Sequence, residues 1–298
     1  MSRPRSAQSA RPAGQQDTTA SPEEVTVASR ALSVWQNRQV VDLLVKRDLK
    51  VKYQKSILGY AWSLLDPLAQ AAIYFFVFGI LFNARVAPGG ADAPGGYALF
   101  LLSGILPWMW MSTALNDASR ALITHAKLIT TMKVPREIFP LAVVQTKFIE
   151  YLLTWPVLLL FVVVLGGQTG WTLLWLPVAI GVQFVFTLGI TLLLASLNVL
   201  LRDVQRIVRI MNRVLFYSSP IIYPIHQVMG AESLPGWFKT VYEMNPLVGI
   251  FQMHHAVWYP TEAPSSLMLW STVAGAVAMF AVGYWTFRRL ETAVLKEL

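Results

Sequence analysis

The chain has no cysteine, which removes disulfides, thiolate metal sites and cysteine nucleophiles together. Charge is scarce as well. Asp, Glu, Lys and Arg make up 13% of the 298 residues, against about 25% in an average soluble domain. So few ions cannot cover a water-exposed surface, so an apolar soluble domain is disfavoured. No G-x-x-x-x-G-K-[ST] sequence occurs, and therefore no P-loop for nucleotide. No H-E-x-x-H occurs, and the four histidines are His125, His226, His254 and His255. Adjacent His254 and His255 cannot face one point on a helix, and no carboxylate stands at helical spacing from them. They read as aromatic-belt or loop polar groups, and no metal is assigned.

Acids are the scarcer sign, 16 against 24 Lys and Arg. A membrane glycosyltransferase needs carboxylates gathered at one membrane face. Asp48, Asp66, Asp117, Glu150 and Asp203 each stand beside a base or at a helix end, where ion pairing is the default. Glu150 is the one placed deep enough for an intramembrane role, with Lys147 one helical step before it. The charge-free cores of the other spans argue against a proton relay or an ion channel.

What is abundant is apolar: 55% of residues are hydrophobic. Crossing about 30 Å of hydrocarbon takes about 20 helical residues. Spans are predicted at about Leu58–Phe82, within Ala93–Asn116, at Leu141–Leu165, at Trp171–Leu194, at Val208–Ile225 and within Ser265–Phe287. The fifth holds Arg209 and Arg213 in its first turns and is interrupted by Pro220 and Pro224. Before them, residues 1–34 are rich in Ser, Ala, Pro, Gln and Arg, read as a disordered tail without the apolar core of a signal peptide. Residues 35–56 read as an amphipathic interface helix, with Val40, Val41, Leu44, Val45, Leu49 and Tyr53 on one side and bases on the remaining arc. Residues 57–298 form the transmembrane domain.

The bases sort by side. They crowd the N-terminal region up to Lys55, then Arg120, Lys127, Lys133 and Arg136, then Arg202, Arg206, Arg209 and Arg213, then Arg288, Arg289 and Lys296. Arg85 and Lys239 stand on the alternate side. The positive-inside rule puts both termini on the cytoplasmic side of a multi-pass membrane protein. The net charge of +8 is then explained by topology and anionic lipid, and nucleic acid is not an expected partner.

Aromatics gather near span ends: Trp108, Trp110, Trp155, Trp171, Trp175, Phe216, Tyr217 and Tyr223. Interfacial anchoring accounts for most. A path for sugar rings is the functional reading, carried by Trp108, Trp110, Phe216, Tyr217 and Tyr223. In the outward stretch 226–264, Trp237–Tyr242 and Gly249–Tyr259 read as short helices dipping back into the outer leaflet. Asp117–Pro140 holds a short amphipathic basic helix, either a lipid-surface element or a docking knob for a soluble subunit.

Five short motifs occur in order: Arg47-Asp48-Leu49-Lys50-Val51-Lys52-Tyr53 with Ser56-Ile57-Leu58-Gly59, Trp62 and Pro67; Lys133-Val134-Pro135-Arg136-Glu137 with Pro140; Asn198 with Arg202-Asp203-Val204 and Ser219-Pro220-Ile221; Asn245-Pro246-Leu247; and Phe287-Arg288-Arg289-Leu290-Glu291. Over residues 38–298 this resembles the ABC-2 permeases of polysaccharide exporters, which move O-antigen, teichoic acid or cell-wall galactan. The Arg/Ala/Pro-rich tail is longer than that family's pattern. The resemblance implies a homodimer, each copy docked to an ATP-binding subunit that holds ATP and Mg, with no cofactor in this chain. It implies a lipid-pyrophosphate-linked glycan as cargo and a coupling helix at Ala118–Met132. Arg47, Lys50 and Lys52 would meet the pyrophosphate, and Arg120, His125, Lys127, Lys133 and Arg136 would dock the ATPase. The expected fold is thus all-α: six transmembrane helices, an N-terminal interface helix, a cytoplasmic coupling helix and short outer re-entrant helices. A permease for drugs or small lipids is the alternative, and a membrane glycosyltransferase the remaining one.

Overall fold

The computed structural model describes residues 27–81, 96–131, 134–164 and 170–298. Most of the expected tail, the Gly/Pro-rich loop around Arg85, and Lys133 lie outside the described residues. Among those described there is helix and no strand.

Helix α1 (Val27–Gln36) begins inside the stretch read as tail and meets α2 (Arg38–Tyr53) at Asn37, whose Nδ2 donates to the Ser33 carbonyl. The expected phase of α2 holds: Val41, Leu44, Val45 and Tyr53 are buried and the Lys46, Lys50 and Lys52 face is open. The chain then turns sharply. Lys55 and Gly59 both adopt positive φ, 63° and 51°, a conformation glycine takes without steric cost. That turn sends a lateral helix into the first span, Gly59–Leu81, which contains α3 (Trp62–Tyr74) and closes in a π-helical stretch, Phe75–Leu81.

The following helix, α4 (Gly96–Ala118), is apolar on all sides, as a helix enclosed by protein must be. In its most apolar window 78% of residues are buried, against 11% in the first span, so α4 is the hub and α3 the periphery. It packs on α3, α7 (Ile138–Val164), α8 (Trp175–Leu200), α9 (Val204–Ser218) and α12 (Pro246–Ala256). Between α4 and α7 lie α5 (Ala121–Thr124) and α6 (Ala126–Thr131); α10 (Ile225–Gly230) and α11 (Gly236–Glu243) precede α12; α13 (Ser266–Glu297) closes the chain.

Among the described residues five helices are long and apolar enough to cross a membrane: Gly59–Leu81, Gly96–Ala118, Ile138–Val164, Trp171–Leu200 and Ser266–Glu297. The stretch expected as a further span, Val208–Ile225, is divided. Helix α9 stops at Ser218, before Pro220, and Arg206, Arg209 and Arg213 deny it an apolar window. The stretch 226–264 holds α11 and α12. No residue of α11 is buried, whereas Leu247 through Ala256 of α12 are all buried.

Lipid tails are as apolar as leucine, so association of such helices rests on close packing and interhelical hydrogen bonds. Both are present. Helices α8 and α13 cross at Gly189 and Gly283, where a Cβ on Gly283 would lie 1.9 Å from the Gly189 carbonyl oxygen. Gln183 of α8 donates to the Pro107 carbonyl of α4 at 2.8 Å, and Asn212 of α9 donates to the Ser112 carbonyl at 3.2 Å. Asn245 caps α12 through the Leu247 N–H, and Ser265 caps α13 through the Met268 N–H.

The two ends of the bundle are distinct. At one, an apolar cluster joins Val41 and Leu44 of α2, Leu122 and Ile129 of the α5–α6 elbow, Phe139 of α7, Leu192 of α8 and Phe287 of α13. This is the basic end. At the far end Tyr259 donates to the Gly96 carbonyl, Tyr97 to the Ile222 carbonyl and Thr172 to the Val257 carbonyl. The start of α4 and the start of α8 therefore share one end, and α2 and the C-terminus share the other.

Candidate functional site at the basic end

The single coupling helix expected over Ala118–Met132 is two short helices broken at His125. The break has a tertiary cause: His125 turns inward, 5% exposed, against the Phe139 ring. Its Nδ1–H donates to the Ala121 carbonyl at 2.7 Å, which leaves the Nε2 lone pair to accept from Arg47 Nη2 of α2. Burial, with the Arg47 charge adding to it, holds the imidazole pKa below its usual range. Arg47 also donates to Asp48 Oδ1 through Nη2 and Nε, at 2.6 and 3.0 Å. His125 is thus a joint inside the protein, behind the outward face of the elbow. That outward face consists of Arg120, Ile123, Thr124 and Lys127, all exposed. Arg136 is turned away too, paired with Glu291 of α13.

Lys52, one residue before α2 ends, reaches α7. Its Nζ lies 2.8 Å from both carboxylate oxygens of Glu150. Lys147, 7% exposed at its side chain, bridges Asp117 of α4 at 2.7 Å and Glu150 at 3.4 Å. The default of ion pairing for Asp117 and Glu150 is what the structure has, extended to four groups from three helices. These groups line two adjoining spaces. A cavity of about 70 Å³ lies among Lys52, Asp66, Trp110, Lys147, Glu150 and Tyr151, room for a few waters. A more open one of about 310 Å³ lies among Arg47, Asp117, Arg120, His125 and Lys147. Lys50 is exposed and stands apart from both.

The aromatic residues divide into two groups. Trp108, Trp110 and Phe216 are buried, 4%, 2% and 5% exposed. Trp108 packs on Phe216 and Phe251, and Trp110 stacks on Tyr151 with ring centroids 5.4 Å apart. Tyr217, by contrast, is 57% exposed, and Tyr223 is half-buried at the far end. Tyr223 Oη donates to the Tyr217 carbonyl at 3.1 Å and stands 3.1 Å from Tyr242 Oη. Tyr223 and Tyr242, without Tyr217, border an open, mostly apolar space of about 770 Å³ with Ser218, Phe238 and Asn245.

His254 and His255 are not belt or loop groups. Both are fully buried in α12. His254 Nε2 lies 2.6 Å from Gln183 Oε1; His255 lies 2.8 Å from Ser103 Oγ through Nδ1 and 3.0 Å from the Pro220 carbonyl through Nε2. They pin α12 to α8, to α4 and to the break after α9. The contacts are 35 to 152 residues apart in sequence, and no local signal announces them. Among the described residues no group of three or more His, Asp and Glu is placed to hold a metal.

A helical bundle of apolar spans, with an amphipathic helix locked to a short helical elbow at one end, is the membrane part of a transporter in form. The chain belongs to the ABC-2 type transporter family, whose sequence model matches residues 39–258. It is similar to the O-antigen export system permease protein RfbA of Myxococcus xanthus, 28% identical over 83% of this chain and 90% of that protein. A protein of the same name from Klebsiella pneumoniae is 33% identical over 70% of this chain and 77% of its own length. The polysialic acid transport protein KpsM of Escherichia coli is 23% identical over 86% and 95%.

Proposed function

We propose that this chain is the membrane permease of an ATP-driven exporter of an O-antigen-like polysaccharide. The observation that carries the reading is the α2–elbow joint. Arg47 and His125 tie the interface helix to an elbow whose outer face offers Arg120, Ile123, Thr124 and Lys127 to a soluble partner. A chain without a P-loop needs that partner to supply ATP hydrolysis with Mg. Family membership and relatives named for O-antigen and polysialic acid transport give the cargo class.

In this reading two copies assemble, each with its ATPase, and the basic end faces the cytoplasm with both termini. Helix α9 and the turn after it form the sixth crossing, with α12 re-entrant beside them from the far side. The cargo is a glycan on a lipid pyrophosphate. Lys50 presents charge at the interface, and Arg47 and Lys52 would join it only by leaving His125 and Glu150. Tyr217 and Tyr223 offer ring faces to sugars on the outward half.

The test is co-purification of the full chain in mild detergent with an ATP-binding cassette subunit from the same locus. Stoichiometric recovery, lost in Ile123→Asp, is expected. Recovery of the permease alone, with turnover of a sugar donor, would instead point to an enzyme.

A further inference from the structure

Helix α9 carries three arginines whose charges the fold does not use. At about 100° per residue, Arg206, Arg209 and Arg213 fall within an arc of about 60°. That arc flanks the buried face of Val204, Val208, Asn212 and Phe216, with Phe216 within about 20° of Arg209. All three arginines are exposed. Arg206 has one loose contact, 3.5 Å to Asp203, with both side chains open to the surroundings. Arg209 and Arg213 have no ion-pair partner among the described residues.

Packing against α4 sets their level in the bundle. Asn212 bonds to the Ser112 carbonyl, and Phe216 packs on Trp108. These contacts register α9 antiparallel to α4, whose span ends at Ala118. Ser112 is six residues before that end, so the Arg213 backbone lies about 9 Å along α4 from its last residue, level with the Trp110–Thr113 stretch that borders the Lys147–Glu150 cavity. Helical side chains lean toward the N-terminus, which draws the guanidinium groups back toward the basic end and the level of lipid phosphates. Exposed guanidinium groups on a bundle of apolar spans sit where water or anions reach them, since bare hydrocarbon penalises an unpaired charge by several kcal/mol. Arg47 and Lys52, in contrast, already have their charges matched by Asp48 and Glu150. Tyr217 stands one turn beyond Arg213 on the same line, its ring exposed.

We propose that Arg206, Arg209 and Arg213 form a ladder that binds the phosphate of a lipid, guanidinium forks pairing with phosphate oxygens. Resting on the export reading above, the ligand is the phosphorylated headgroup of the lipid-borne cargo. An ordinary anionic phospholipid offers the same chemistry from a second source. The ladder then takes the phosphate from the basic end and leaves the attached polar group beside Tyr217.

The full-length permease in phosphatidylcholine nanodiscs would be titrated with a polyprenyl diphosphate and, separately, with phosphatidylglycerol. Native mass spectrometry reads bound lipid. Replacing both Arg209→Gln and Arg213→Gln is expected to weaken polyprenyl diphosphate binding by about tenfold to a hundredfold, the loss of one or two charge-assisted bonds. The Arg209→Lys, Arg213→Lys form keeps most of the affinity. Loss confined to the polyprenyl diphosphate assigns the ladder to cargo, and equal loss for both lipids assigns it to bilayer phospholipid. Unchanged binding of both, or the same loss in Arg289→Gln on α13, would overturn the proposal. If binding is unchanged while the permease still recovers its ATPase, the ladder fails and the export reading stands.

Discussion

Lys52 at the end of the interface helix and Glu150 on α7 meet across 98 residues of sequence, the ammonium 2.8 Å from each carboxylate oxygen. With Lys147 and Asp117 they join α2, α4 and α7 at the level where the chain turns from α2 into its first span. Glu150 is the shared member, so the two partners are not equivalent to lose.

Glu150→Gln removes one of the two carboxylates around the nearly buried Lys147 and is expected to cost about 3 kcal/mol, as breaking a buried pair does. Lys52 is 45% exposed at its side chain, and Lys52→Gln is expected to cost about 1 kcal/mol or less. Thermal unfolding of the two variants in detergent checks the order. A larger loss for Lys52→Gln would contradict the network as described.

The Arg47–His125 joint gives a pH dependence with a definite sign. The folded imidazole has a lowered pKa, with Arg47 and Asp48 as the charged groups facing it and Phe139 covering the ring. The unfolded chain protonates first, near the ordinary value of 6.5. Stability from this joint is therefore full above that value and lost as pH falls below it. Hydrogen-exchange protection factors of Ala121–Thr131, which correct for the slower intrinsic exchange in acid, should fall as pH drops through about 6.5, and His125→Gln should flatten the change.

Neighbouring elbow residues should separate docking from folding. Leu122 is buried in the basic-end cluster, whereas Ile123 is 46% exposed. Leu122→Asp places a charge in that core and should abolish a monodisperse product. Ile123→Asp should leave melting within about 0.5 kcal/mol of wild type, as surface changes do, while releasing the ATPase from the purified complex.

The glycine crossing offers a packing test. In Gly283→Ala the new Cβ meets the Gly189 carbonyl, and the overpacked contact should cost about 1–3 kcal/mol. Gly181, on the same α8, has nothing within 4 Å of its would-be Cβ. Gly181→Ala should be neutral or gain up to about 1 kcal/mol from helix propensity.

Which parts of this were legible beforehand follows from the range of the interactions. The phase of α2 was readable because Val41, Leu44, Val45 and Tyr53 repeat at helical spacing beside a run of bases. The long spans were readable because length and apolarity are local. The aromatic residues of α4 were not resolvable into lining and core, because a helix apolar all round gives no phase; the structure puts Trp108 and Trp110 inside. His125, His254 and His255 take their roles from Arg47, Gln183 and Ser103, which are remote in sequence. The α9 arginines were legible as topology signals, but their level in the bundle needed the register against α4.

The most direct measurement of the central claim is transport itself. The permease and its ATPase would be reconstituted in liposomes with a lipid-linked glycan. A membrane-impermeant glycosidase, applied on the face opposite the ATPase, would report the glycan that has crossed. ATP-dependent digestion, absent with a hydrolysis-deficient ATPase, is the predicted result. Glycan that stays protected with ATP, in a complex that hydrolyses it, would contradict the account.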